Sequence, residues 1–116
     1  MDSILDSVKK KLGIDAKYTI FDDGDLIDHI NTVFADLNQL GVGPPEGFSI
    51  EDSDVIWEDY LTDDALKLQQ VKTYMHLRIK LIFDPPQQTS VLTSYQEQIE
   101  KLEWRLNIAA ESIQSE

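Results

Sequence analysis

Two histidines and 22 carboxylates are the side chains of this 116-residue chain that could move a proton or bind a metal. A working catalytic site needs a nucleophile or base oriented by a partner, or a metal or phosphate site. His29 and His76 fall on separate stretches with no orienting acid at a fixed spacing, and His76 has no second ligand three or four residues away. With this many acids, carboxylate pairs arise by chance. Cysteine is absent, which removes disulfides, thiolate metal sites and cysteine nucleophiles together. There is no Gly-rich phosphate loop, no HExxH and no GxSxG. The run Asp22, Asp23, Gly24, Asp25 invites a calcium reading, but it lacks the alternating oxygen ligands, central Gly and terminal Glu of a calcium loop. Its acids read better as the charged start of a helix. Lys9, Lys10 and Lys11 admit a phosphate contact, although a solvated helix end complementing the helix dipole is the simpler account. The reading is no enzyme, no cofactor and no metal.

Charge is the strongest compositional feature. Ten Lys and Arg against 22 Asp and Glu give a net charge of −12, which disfavours binding nucleic-acid backbone by charge neutralisation. The distribution is uneven: −4 for residues 1–40, −8 for 41–65, +3 for 66–86 and −3 for 87–116. No apolar run approaches the roughly 20 residues that span a bilayer. The N-terminal MDSILDSVKKK lacks an apolar core and a cleavage site, so the chain is expected to be cytosolic when made, without membrane association.

The elements that carry these residues follow from apolar spacing. Residues 66–86, LKLQQVKTYMHLRIKLIFDPP, read as a central helix whose apolar positions cover more than half its circumference. Thr73, His76, Lys80 and Asp84 make its only continuous polar stripe. Pro85 and Pro86 stop it, because the residue before a proline avoids helical geometry and proline donates no hydrogen bond. Before it, residues 2–12 form an amphipathic helix capped by Asp2 or Ser3 and closed by Gly13. Residues 23–40 form a second, with a one-sided stripe from Leu26 to Leu40 ended by Gly41. After the prolines, a cap at Thr89 or Ser90 starts a helix over 89–112. Its seam of Leu92, Tyr95, Ile99, Leu102, Leu106, Ala109 and Ile113 repeats at three and four residues. The expected fold is therefore all-α: one domain over 1–116, a small bundle of four main helices (about 2–12, 23–40, 65–83 and 89–112).

Between the second and third of these lies an irregular, partly extended flap at 42–64. GVGPPEG at 41–47 breaks any helix. Phe48 and Ile50 alternate with small residues as in a short strand. In EDSDVIWEDYLTDD, Ser53 can cap a short helix, or Val55 and Trp57 can pair with the Phe48 piece; the short helix is slightly preferred. Long irregular segments often carry function, so Phe48, Ile50, Trp57 and Tyr60 are candidate contact residues, the alternative being that they cover the core. Trp104 falls off the seam of the last helix nearly opposite Leu102, with Ile108 one turn on. This is the residue type enriched at protein interfaces, unless the flap covers it. Arg78 falls inside the apolar surface of the central helix, where an unpaired charge is costly. The acidic flap is expected to supply its partner from Glu58, Asp59, Asp63 or Asp64. The alternative is that Arg78 snorkels to the surface.

The succession INTVFADLNQLGVGPPEGFSIEDSDVIWEDYL, then VKTYMHLRIKLIFDPP, then LEWRLNIAAE resembles the small head-tail connector proteins, also called head-completion or adaptor proteins, of long-tailed phages and prophages of Gram-positive bacteria. No single part is diagnostic; their order along nearly the whole chain carries the likeness. The resemblance implies a mostly helical virion subunit at the head-tail junction. It would join a ring of its own copies under the portal protein, with DNA passing through, and offer a platform to the next tail-proximal connector protein. It brings no catalytic residues and no sequence-specific nucleic-acid binding. An acidic inhibitor mimicking nucleic acid and a generic helical interaction module are the competing readings.

Overall fold

The central helix is where the sequence places it, and the rest of the chain packs around it. The computed structural model describes residues 3–13, 23–62, 64–83 and 85–114, except the side chains of 23 and 109–114. Among the described residues there are five helices: α1 (Ile4–Leu12), α2 (Asp23–Gln39), α3 (Trp57–Tyr60), α4 (Ala65–Phe83) and α5 (Thr89–Gln114). Extended structure among them is confined to one isolated antiparallel bridge, Ser3 to Ile56. The main helix contacts all involve α4, against which α1, α2 and α5 each pack. Val71, Tyr74, Met75 and Ile79 of α4 are fully buried, as the breadth of its apolar surface requires.

Local chemistry sets the helix ends. The Ser3 hydroxyl accepts from the Asp6 N–H at 3.2 Å, so Ser3 is the α1 cap and the helix starts two residues later than the sequence pattern gives. Gly13 takes the left-handed conformation, φ 78°, that closes α1. Asp64 caps α4 through its carboxylate, which accepts from the Lys67 N–H at 3.0 Å. At the other end α4 stops at Phe83, ahead of Pro85 and Pro86. Asp84, and with it the last residue of the expected polar stripe, lies outside the described residues, as do Asp22 and Asp63.

The flap is shorter in regular structure than the sequence pattern gives, and it is held more firmly. Asn31 of α2 makes both hydrogen bonds of a ladder pair with Ile50: Nδ2 donates to the Ile50 carbonyl at 3.0 Å and Oδ1 accepts from the Ile50 N–H at 2.8 Å. Val55 and Ile56 are extended, yet they pair with the start of α1 and not with the Phe48 piece; the Ile4 N–H donates to the Val55 carbonyl at 3.0 Å. The short helix exists but is the single turn α3, begun at Ile56 and not at Ser53. The Asp59 carboxylate reaches back to accept from the Ile56 N–H at 3.1 Å.

Candidate assembly surface

The flap aromatics turn inward. Trp57, Tyr60 and Ile50 are buried and Phe48 is half-buried. Phe34 of α2 is the hub they meet: its ring centroid lies 5.0 Å from Phe48, 4.8 Å from Tyr60 and 6.2 Å from Trp57. The Trp57 indole N–H donates to the Ser7 hydroxyl at 2.9 Å, and the Lys72 ammonium sits 5.8 Å from the ring centroid. Gly43 makes room for this cluster. With φ 88° and the Tyr60 ring against it, a Cβ there would lie 2.6 Å from Tyr60 Cε1. Burial pushes the Tyr60 hydroxyl well above its ordinary range, and that hydroxyl has no hydrogen-bond partner among the described residues. These four residues hold the flap to the core. What the flap shows to solvent is acid: Glu51, Asp52, Asp54, Glu58 and Asp59 are all exposed.

Arg78 has a partner, but not the expected one. Its guanidinium donates through Nη2 to the Asp36 carboxylate at 2.7 Å and through Nη1 to the Tyr74 hydroxyl at 2.6 Å. The Tyr74 hydroxyl in turn donates to Glu103 Oε2 at 2.7 Å. One polar chain thus ties α2, α4 and α5 and leaves the flap out. The correction has a plain cause: Asp59 and Asp64 are engaged in capping their own segments, while Asp36 faces α4 one turn before the end of α2. Burial disfavours the Arg78 charge, but the bonds to Asp36 and Tyr74 outweigh it and raise its pKa. The Tyr74 phenol is pushed up to about 12 by burial and by its bond to Glu103.

Trp104 and Ile108 are presented outward. Trp104 is 65% exposed and Ile108 40% exposed, one turn apart on α5. Their neighbours in sequence explain the fixed orientation. Leu102 and Leu106 are buried against the bundle, Glu103 is held by Tyr74, and Asn107 Nδ2 donates to the Leu40 carbonyl at 3.2 Å. The indole is therefore an apolar group on a pinned helix face, which the flap does not cover. Leu66 and Ile82 on α4 are the other large apolar side chains exposed among the described residues.

The two histidines are not brought together. His29 packs edge-on to Phe83, ring centroids 5.2 Å apart, whereas His76 lies seven residues before Phe83, about 10 Å along α4. His76 is not the plain surface residue that its polar stripe predicts. Burial, with Lys11 and Lys72 nearby, lowers its pKa to about 4, because it sits in the hollow between α1 and α4. No group of His, Asp and Glu among the described residues has the geometry to hold a metal ion, and no described helix is long and apolar enough to cross a membrane.

Among the described residues the chain is a small all-α bundle with Trp104 and Ile108 exposed on α5 and an acidic edge along the flap. The chain belongs to the phage connector protein family, whose model matches residues 4–112. The role that follows is structural, in the head-tail connector of a phage particle. No curated protein and no solved structure matches the chain.

Proposed function

We propose that the chain assembles as a ring of its own copies beneath the portal protein, completing the head and presenting a platform to the next tail-proximal connector protein, with DNA passing through the ring. The carrying observation is Trp104 with Ile108, exposed on a helix whose adjacent residues are fixed to α4 and to Leu40 just after α2. An indole has only two side-chain torsions to order on contact, and its backbone is already fixed here by the bonds of Glu103 and Asn107; such residues dominate interface energies. Covering the 65% of Trp104 that is exposed removes about 160 Å² of apolar surface from water, worth about 3–4 kcal/mol. The surplus of carboxylates supports the reading as well, since a channel wall that repels phosphate lets DNA slide. Family membership favours this role over a nucleic-acid mimic, which the acidic flap edge alone would also suit.

The test is binding of purified chain to portal-bearing, DNA-filled heads, with copies per head counted by quantitative mass spectrometry. Trp104→Ala is expected to keep its thermal midpoint and to bind heads at least about 30-fold more weakly, the effect of roughly 2 kcal/mol at an interface anchor. Binding of that variant at wild-type affinity would remove α5 from the interface.

A further inference from the structure

The polar stripe on α4, which has no part in the Trp104 surface, forms the floor of a groove. Thr73, His76 and Lys80 lie along it, Lys11 stands with Val8 and Leu12 on the α1 wall, and Tyr95 of α5 also lines it. The groove continues past Gln69 and Lys72 toward the start of α4. It consists of two adjoining hollows of about 340 and 410 Å³ that share Lys11, Thr73 and His76, sizes at which a bound group can be largely enclosed. The groove is cationic in a chain of net charge −12. Lys11, Lys72 and Lys80 line it, with no described Asp or Glu among the lining residues; seven of the ten basic residues belong to α1 and α4, and α4 contains no Asp or Glu.

The complement to this groove is on the same chain. Residues 51–54, Glu-Asp-Ser-Asp, are all exposed. The turn is ordered from within by the Asp54 N–H donating to Asp52 Oδ1 at 2.9 Å, and is fixed on either side by the Asn31 bonds to Ile50 and the bridge from Ile56 to Ser3. Three carboxylates therefore project on a short, pre-formed loop. The turn lies by the first residue of α1, where Val55 meets Ile4, while Lys11 is seven residues further along, about 10 Å away on the helix axis. None of residues 51–54 lines either hollow, so turn and groove are separate patches of the surface.

Copies carrying −12 each repel one another unless their contact pairs unlike patches, and a ring requires one patch to meet a different patch on the neighbour. Resting on the ring reading above, we propose that the α1–α4 groove receives the 51–54 turn of a second copy of this chain, so that the two form the unlike halves of the contact between neighbours. A head-to-tail pairing of this kind orients every copy the same way around the ring.

The experiment is charge reversal and its rescue in the full chain, read as copies bound per portal-bearing head. Lys11→Glu with Thr73→Glu reverses the groove; Glu51→Lys with Asp54→Lys reverses the turn and leaves Asp52 to order it. Each set alone is expected to weaken cooperative loading about tenfold or more, the effect of a few like charges facing across a contact. All four changes in one chain are expected to restore loading to within about threefold. Loading unchanged by either set overturns the pairing and leaves the ring standing; failure of the fourfold variant to recover overturns it too. Wild-type chain that binds heads as single copies takes down the ring and the pairing together. Should a reversed set melt below the wild type, salt titration of the wild type decides instead. Copy number insensitive to ionic strength overturns the pairing, and a marked fall supports it.

Discussion

Replacing Arg78 by Met separates two accounts of what this residue holds in place. The methionine keeps the apolar stem of the side chain in the core, so the change removes little packing. It removes the bonds to Asp36 and Tyr74. Asp36 is 40% exposed and Arg78 23%, so water screens their pair and its loss costs about 1 kcal/mol, between the values for surface and buried pairs. The Tyr74 hydroxyl keeps Glu103, so losing its second partner costs about 1 kcal/mol more. The expected total is about 2 kcal/mol, a fall in melting midpoint of about 8 °C for a domain of this size. Hydrogen exchange followed by mass spectrometry should show faster exchange in α2 near Asp36 and in α5 near Glu103, with residues 48–62 unchanged. Asp36→Asn should couple to Arg78→Met by about 1 kcal/mol in a double-mutant cycle. Faster exchange confined to the flap, with α2 and α5 unaffected, would refute the assignment of the partner.

Two other perturbations test the packing. Gly43→Ala meets both the left-handed backbone and the Tyr60 ring and should destabilise by about 3 kcal/mol, whereas Gly47→Ala, with φ 93° and nothing within 4 Å of its Cβ, should lose only about 1 kcal/mol; equal losses in denaturant melts would mean the Tyr60 contact is immaterial. His76, its pKa lowered from 6.5 to about 4, stays neutral in the fold while the unfolded chain takes up a proton. Its contribution is therefore complete above about pH 6.5 and lost as pH falls toward 4, amounting to about 1–2 kcal/mol after allowance for partial exposure. His76→Gln should flatten the pH dependence of urea stability between neutral pH and about pH 5 relative to wild type; parallel slopes would count against this.

The helices were legible because each carries its own instructions: the stripe in α2, the wide apolar surface of α4, the α5 seam through Ile99, Leu102 and Leu106, and breakers at Gly13, Gly41 and Pro85. Their ends match to within two residues. Pairings between distant segments were not legible. Counting charge by segment pointed from Arg78 to the most acidic stretch, but an ion pair is decided by distance, and α2 lies nearer than the flap. The flap residues Phe48, Ile50, Trp57 and Tyr60 look available in the sequence because no local pattern shows that Phe34 offers them a pocket; bonds to distant segments, between Asn31 and Ile50, between Ile4 and Val55 and between Trp57 and Ser7, bring them there. Trp104 was legible since being off the seam of a long helix is itself a local property. The burial of His76 is not legible because nothing within α4 reveals that α1 stands beside its polar stripe and walls it into a groove.

The arrangement in which α1, α2 and α5 all pack on α4 has a consequence for how the sequence can drift. The main contacts of α1 and of α5 are both with the shared helix and not with each other, so the effects of substitutions on the two that share no neighbour should nearly add, and much of each helix can change with little regard to the other. Substitutions in α4 are judged by three neighbours at once. The outer helices are thus free to track changing partners in the particle, while the segment 65–83 can change only in concert with all of them.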